Sequence, residues 1–173
     1  MVFPLLDLQK TQLHACSGGK LTINPATGTD INGGVVKVVI GSVVNGVDRG
    51  TVQSWVDSVV NKKFGNLAQW DHLMYVFPDS VDFRGAAAYA YLNHYHSVYM
   101  GRYGSFIGVQ VHELGHNYNM LHSGYGEKSY ADHTGLMGTF SSVDLEKKLM
   151  FFVEQVLTLD PLYMHCRQPI PLR

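Results

Sequence analysis

Residues 112–122 read His-Glu-Leu-Gly-His-Asn-Tyr-Asn-Met-Leu-His, and this run restricts the possible folds more than any other part of the 173-residue chain. On a helix, His112 and His116 stand about one turn apart, so both imidazoles leave the same face. Two such nitrogens suit zinc, which binds histidine at roughly 2.0–2.1 Å and keeps a position open in catalytic sites. Glu113 lies about 100° further round the helix. There it can reach water beside the ion without binding the ion itself. His122 follows after a longer gap, and continued helix would carry it about 240° from the shared face. It joins the other two only if the helix ends and the chain doubles back. This is the pattern of a zinc peptidase.

The flanking residues agree. Ile107, Val109, Val111, Leu114 and Gly115 are apolar or small, so the helix is expected to be buried. Burying histidine and glutamate without partners is costly, and a metal gives the imidazole lone pairs a partner. Bound zinc also lowers the pKa of water from 15.7 to about 7 in favourable sites. Glu113 is then expected to accept the proton as water attacks a peptide carbonyl and to hand it to the departing amine. A second histidine pair, His94 and His96, flanks Tyr95 in a segment that reads as a strand. With no third ligand nearby in sequence, the pair reads as partly exposed strand residues rather than a metal site. His133 is placed along the cleft, while His14, His72 and His165 carry no usable pattern.

The run resembles the metzincin metallopeptidases, whose pattern is His-Glu-x-x-His-x-x-Gly-x-x-His followed by a methionine turn. His112, Glu113, His116 and His122 match position by position. Asn119 replaces the glycine, and asparagine is the next most tolerated residue in the left-handed conformation that follows a helix. Met137, within Gly135-Leu136-Met137-Gly138, matches the methionine turn, which implies an apolar floor beneath the metal and not a ligand. Thr139 stands where astacin-like and serralysin-like enzymes carry an extra tyrosine ligand, so no fifth protein ligand is expected.

Within the metzincins the chain is similar to gametolysin, the algal cell-wall peptidase, over roughly residues 70–140. The similarity lies in His116-Asn117, Leu121-His122-Ser123-Gly124, Tyr130-x-Asp132-x-Thr134-x-x-Met137-Gly138, and Ala88-Tyr89-Ala90-Tyr91-Leu92-Asn93 followed by Ser97. Adamalysin-like peptidases are the alternative subfamily. They share Gly-His-Asn but usually place aspartate at the position of Ser123. The resemblance implies an α+β, zincin-like domain: a twisted mixed sheet packed on helices, with a zinc-binding helix and a methionine turn. It also implies one catalytic zinc ion, secretion, and an extended peptide of matrix or cell-wall glycoprotein as substrate. In such enzymes an edge strand pairs with the substrate. Ala88–Asn93 is the candidate, with Tyr91 and Asn93 contacting substrate; an ordinary half-buried strand is the other reading. Asp132 is a candidate partner for a ligand histidine or an ordinary turn aspartate, and Tyr130 reads as packing.

The remainder fits one domain. Hydrophobic residues make up 46% and charged residues 16% of the chain, and the net charge is −1. These values imply neither nucleic acid nor an anionic membrane as partner, and no apolar stretch approaches the roughly 20 residues needed to span a bilayer. Oligomeric state has no signature. Residues 1–34 read as irregular, 35–158 as the catalytic domain and 159–173 as an irregular tail. Val35 to Val44 reads as a strand. Thr51 opens a helix with Val52, Trp55, Val56, Val59 and Val60 inward and Gly65 closing it. Residues 72–77 read as a buried strand, Ala88–Leu92 with Ser97–Met100 as a strand pair, and a last helix follows Ser141 and Ser142. Residues 1–12 lack a signal peptide's basic start and long apolar run, so the chain is expected to be a fragment or altered splice form of a longer precursor. A truncated, catalytically incompetent relative that still holds metal is the alternative function. Cys16 and Cys166 could pair in an oxidising compartment.

Overall fold

The computed structural model describes residues 10–138, apart from 12, 15, 16, 18, 133 and 134. The final helix, the tail, His133, His165 and both cysteines fall outside the described residues. Helix α1 spans Arg49–Phe64, two residues earlier than the valine pattern indicated. It starts there because the Asp48 side chain accepts the Gly50 N–H at 2.9 Å, satisfying one donor that the first turn cannot. Val52, Val56 and Val60 recur every fourth residue and are buried, together with Gln53. The helix ends at Gly65, whose φ of 82° an L side chain rarely adopts and whose N–H donates to Asn61.

Three strands form a mixed sheet in the order β1-β3-β2. They are β1 at Leu73–Phe77, β2 at Ala88–Ala90 and β3 at His96–Met100. β1 runs parallel to β3 with Leu73 opposite His96, and β2 runs antiparallel to β3 with Ala88 opposite Tyr99. One face of α1 and the sheet enclose the main core of Val52, Val56, Val60, Tyr75, Phe77, Phe83 and Val98. Helix α2, Ile107–Asn117, is buried from Gly108 onward on every side. Val111 and Leu114 pack with Leu13 and Leu136 in a second cluster. Within the segment read as irregular, residues 10, 11, 13 and 14 are helical, and they bring Leu13 beneath α2. The molecule is α+β, and no described helix is long and apolar enough to cross a membrane.

Two strand expectations are corrected. Val35–Val44 forms no strand, and only Val35 makes an isolated bridge, with Asn32. Val38, Ile40 and Val44 do rest on the core, while Val39 and Val43 are 74% and 82% exposed. The segment alternates as a strand does, but β-branched residues favour the pleat only where a neighbouring strand is paired. The strand expected over Ala88–Leu92 stops at Ala90, because residues 92–95 turn. Asn93 sits there at φ 48°, and His94 and Tyr95 belong to this turn rather than to a strand.

The packing predicts two opposite outcomes. Val52→Ala removes two buried methyl groups and should cost about 2 kcal/mol in denaturant unfolding. Val39→Ser should change stability by less than about 0.5 kcal/mol, and a larger loss would show that residues 35–44 are paired after all.

Candidate metal centre

His112 and His116 project from α2 toward one point, and the chain must reverse to bring His122 there. The reversal is a Schellman turn. Asn119 adopts φ 67°, its N–H donates to His116 at 2.9 Å and that of Met120 donates to Gly115 at 2.9 Å. These bonds satisfy carbonyls that the end of a helix leaves open. Asn119 thus occupies the left-handed position expected of it.

The three imidazoles converge. One nitrogen from each of His112, His116 and His122 lies within 4.8 Å of the others, and among the described residues this is the one group of three or more side chains able to hold a metal. The His112 Nδ1 pairs with the carbonyl of Leu136, and the His116 Nδ1 with that of Met120 at 2.8 Å. A carbonyl only accepts, so both Nδ1 atoms carry hydrogen and both Nε2 atoms present lone pairs. The Nε2 atoms of His116 and His122 stand 3.0 Å apart, near the separation of about 3.3 Å for two nitrogens bound tetrahedrally to one zinc. The donor set therefore fits a divalent cation that accepts imidazole. His94 and His96 do not repeat this arrangement. His96 is buried with its Nδ1 against the Gln53 amide at 3.3 Å, and the two rings stack 6.3 Å apart.

The segment around Met137 braces the centre in three ways. Leu136 supplies the carbonyl for His112. The Met137 carbonyl accepts the Ser123 N–H at 2.8 Å, holding the residue after the third histidine. The Met137 side chain, itself buried, lies on Gly115, where a Cβ would collide with its sulfur. That glycine lets the methionine fit under the helix. Asp132 accepts the Ser123 hydroxyl at 2.8 Å, so it reaches the centre through Ser123, while the ring N–H groups of His112 and His116 go to carbonyls. Tyr130 packs its ring 4.0 Å from that of His122. Tyr91 donates its hydroxyl to Gln53 Oε1 at 3.1 Å, and the Asn93 N–H donates to the His116 carbonyl at 3.0 Å.

Burial sets the electrostatics. Desolvation pushes His112 down to about 4, against the support of the Leu136 carbonyl, and it lowers His122 as well. The same effect raises Glu113 to about 7, and among the described residues no donor offsets it. The sequence did not show the Leu136 and Met120 carbonyls, because every residue type offers the same acceptor. Asn117 and Gln53 were also missed, and their polarity inside buried helix faces was the available signal.

The chain matches the family model of gametolysin peptidase M11 over residues 9–144. It belongs to the gametolysin peptidase family. Of the two subfamilies left open by the sequence motifs, this is the one that matches. No curated protein and no solved structure matches the chain.

Membership gives the bend and the acid direct tests. Asn119→Gly should leave zinc binding intact. Asn119→Val forces a β-branched residue into the left-handed region at about 1–2 kcal/mol, which should weaken zinc binding by about tenfold in a chelator competition. Glu113 has a folded value of about 7 against an ordinary 4.5, so its ionisation destabilises the metal-free fold above pH 7 and costs nothing below 4.5. Metal-free Glu113→Gln should therefore match the parent at pH 4 and exceed its stability at pH 8. Equal unfolding midpoints at both would refute the burial.

Proposed function

We propose that this gametolysin-family chain is a zinc-dependent endopeptidase with a metzincin-type catalytic domain. His112, His116 and His122 hold one zinc ion, and Glu113 is the general base. The observation that carries this reading is three converging imidazole nitrogens next in sequence to a buried carboxyl that burial holds near neutrality with no offsetting donor among the described residues. A zinc ion held by these three histidines would polarise a carbonyl and acidify water. Glu113 accepts a proton at its carboxylate from the attacking water and passes it to the departing amine nitrogen. An acid strength near neutral suits a group that must do both. Met137 and Gly115 keep the floor apolar, and Asn119, Ser123 and Asp132 hold the loop that carries His122.

The substrate is an extended peptide. Among the described residues β2 pairs with β3 on one side only and packs near α2, which leaves its other edge unpaired for strand addition. Ala88 and Ala90 leave room for a second backbone, and Tyr91 and Asn93 follow at the end of that edge. Secretion, and matrix or cell-wall glycoprotein as the target, rest on kinship with gametolysin.

A chelator should abolish cleavage of a mixed peptide library, and zinc should restore it. Glu113→Gln should keep one zinc per chain and lose about 10²–10⁴-fold in kcat, whereas His122→Ala should lose the metal. Turnover retained by Glu113→Gln removes the proposed base. A zinc-loaded parent that cleaves nothing is instead the metal-holding, catalytically incompetent relative.

A further inference from the structure

Asn117 ends α2 beside the second ligand histidine and is 6% exposed. Its side-chain amide nitrogen donates to two carbonyls, of Tyr91 at 3.1 Å and of His96 at 3.0 Å. Carbonyls only accept, so this fixes which way the amide faces. Tyr91 and His96 are the residues between which β2 gives way to β3, and the Tyr91 N–H also donates to the His96 carbonyl at 3.2 Å. A third bond crosses in the opposite direction, from the Asn93 N–H to the His116 carbonyl at 3.0 Å. Asn93 keeps its φ of 48° inside this lattice. The Asn117 side chain also meets the His72 imidazole, whose protonated form it favours, but its two close donor bonds are those to the Tyr91 and His96 carbonyls. Removing the donor would leave those carbonyls short of a partner at a buried seam.

We infer that Asn117 is a positioning residue that fastens the outer end of β2 to the metal-bearing helix, so that a peptide added to that edge lies in register with His112, His116 and His122. The inference rests on the endopeptidase reading for its substrate, but the fastening itself is independent of catalysis. Asn117 touches neither the metal nor the peptide. It acts through the Tyr91 and His96 carbonyls, and its loss lets the 91–96 turn move while leaving the histidines on the helix.

Asn117→Asp, which turns an oxygen on both carbonyls, and Asn117→Ser, which keeps at most one bond, test this in the full chain. Both should keep one zinc, with affinity within about threefold of the parent. Amide exchange at Tyr91 and Asn93 should accelerate by about tenfold, with that of Val111 unchanged. On an eight-residue peptide KM should rise by about tenfold with kcat nearly constant, and a minimal peptide spanning only the scissile bond should show no change in kcat/KM. The aspartate should show the larger effect. Zinc loss, equal falls in kcat on both substrates, or unchanged exchange at Tyr91 and Asn93 would each overturn the inference. Should the parent cleave neither peptide, the endopeptidase reading fails, and exchange measured on the zinc-loaded protein still decides the fastening.

Discussion

The end of α2 carries the constraint on which the centre depends. Because this helix is enclosed on every side, its last carbonyls cannot turn to water and must find donors in the protein. Leu114 receives the Tyr118 N–H, Gly115 that of Met120, and His116 those of Asn119 and Asn93. Meeting these demands leaves little choice in the path of residues 118–120. That path points His122 back at the helix. Metal geometry and backbone satisfaction are thus consequences of one bend, and the left-handed residue at its apex makes both possible.

Burial then gives the centre its polarity. With Nδ1 hydrogens committed to carbonyls, His112 and His116 offer only lone pairs inward, and desolvation holds His112 neutral down to about pH 4. Glu113, at about 7, holds its proton over most of the acid range. Burial disfavours the charged form of the rings and of the acid alike, and among the described residues no cation offsets the carboxylate. A divalent charge brought among them favours the carboxylate over the acid. On the proposed reading, neutrality of the three imidazoles and ionisation of Glu113 therefore belong to the same equilibrium.

What the sequence made legible was local. His112, Glu113 and His116 share helical periodicity, and Asn119 shows its bend because few residues tolerate a positive φ. The helix around Val52 was visible for the same reason, although its start shifted to the cap that Asp48 provides. The failures were non-local. Val35–Val44 has the composition of a strand, but pairing depends on a neighbour that its own residues do not encode. The turn at 92–95 cut β2 short because Asn93 is held by His116, far along the chain. Gln53 drew no reading beside the valine stripe, yet it accepts from Tyr89 at 2.6 Å and from Tyr91 and meets His96. Partners that are backbone carbonyls leave no trace in residue type.

On the proposed reading, the enclosed helix also explains why binding metal and placing Glu113 as general base are not equally demanding of the protein. Each direction around α2 has its own support: Leu13 and Leu136 against Val111 and Leu114, Met137 against Gly115, and the β2–β3 turn against Asn117. If one support loosens, the ligands can still be drawn together, because an ion attracts all three nitrogens. The ion does not draw the edge of β2 into place in the same way. The positions of Glu113 and of that edge come from packing and from the hydrogen bonds of Asn117 and Asn93, and productive geometry tolerates only about 0.5 Å. Substitutions that loosen this packing should therefore impair hydrolysis before they release metal. That order separates residues that place the chemistry from residues that hold the ion.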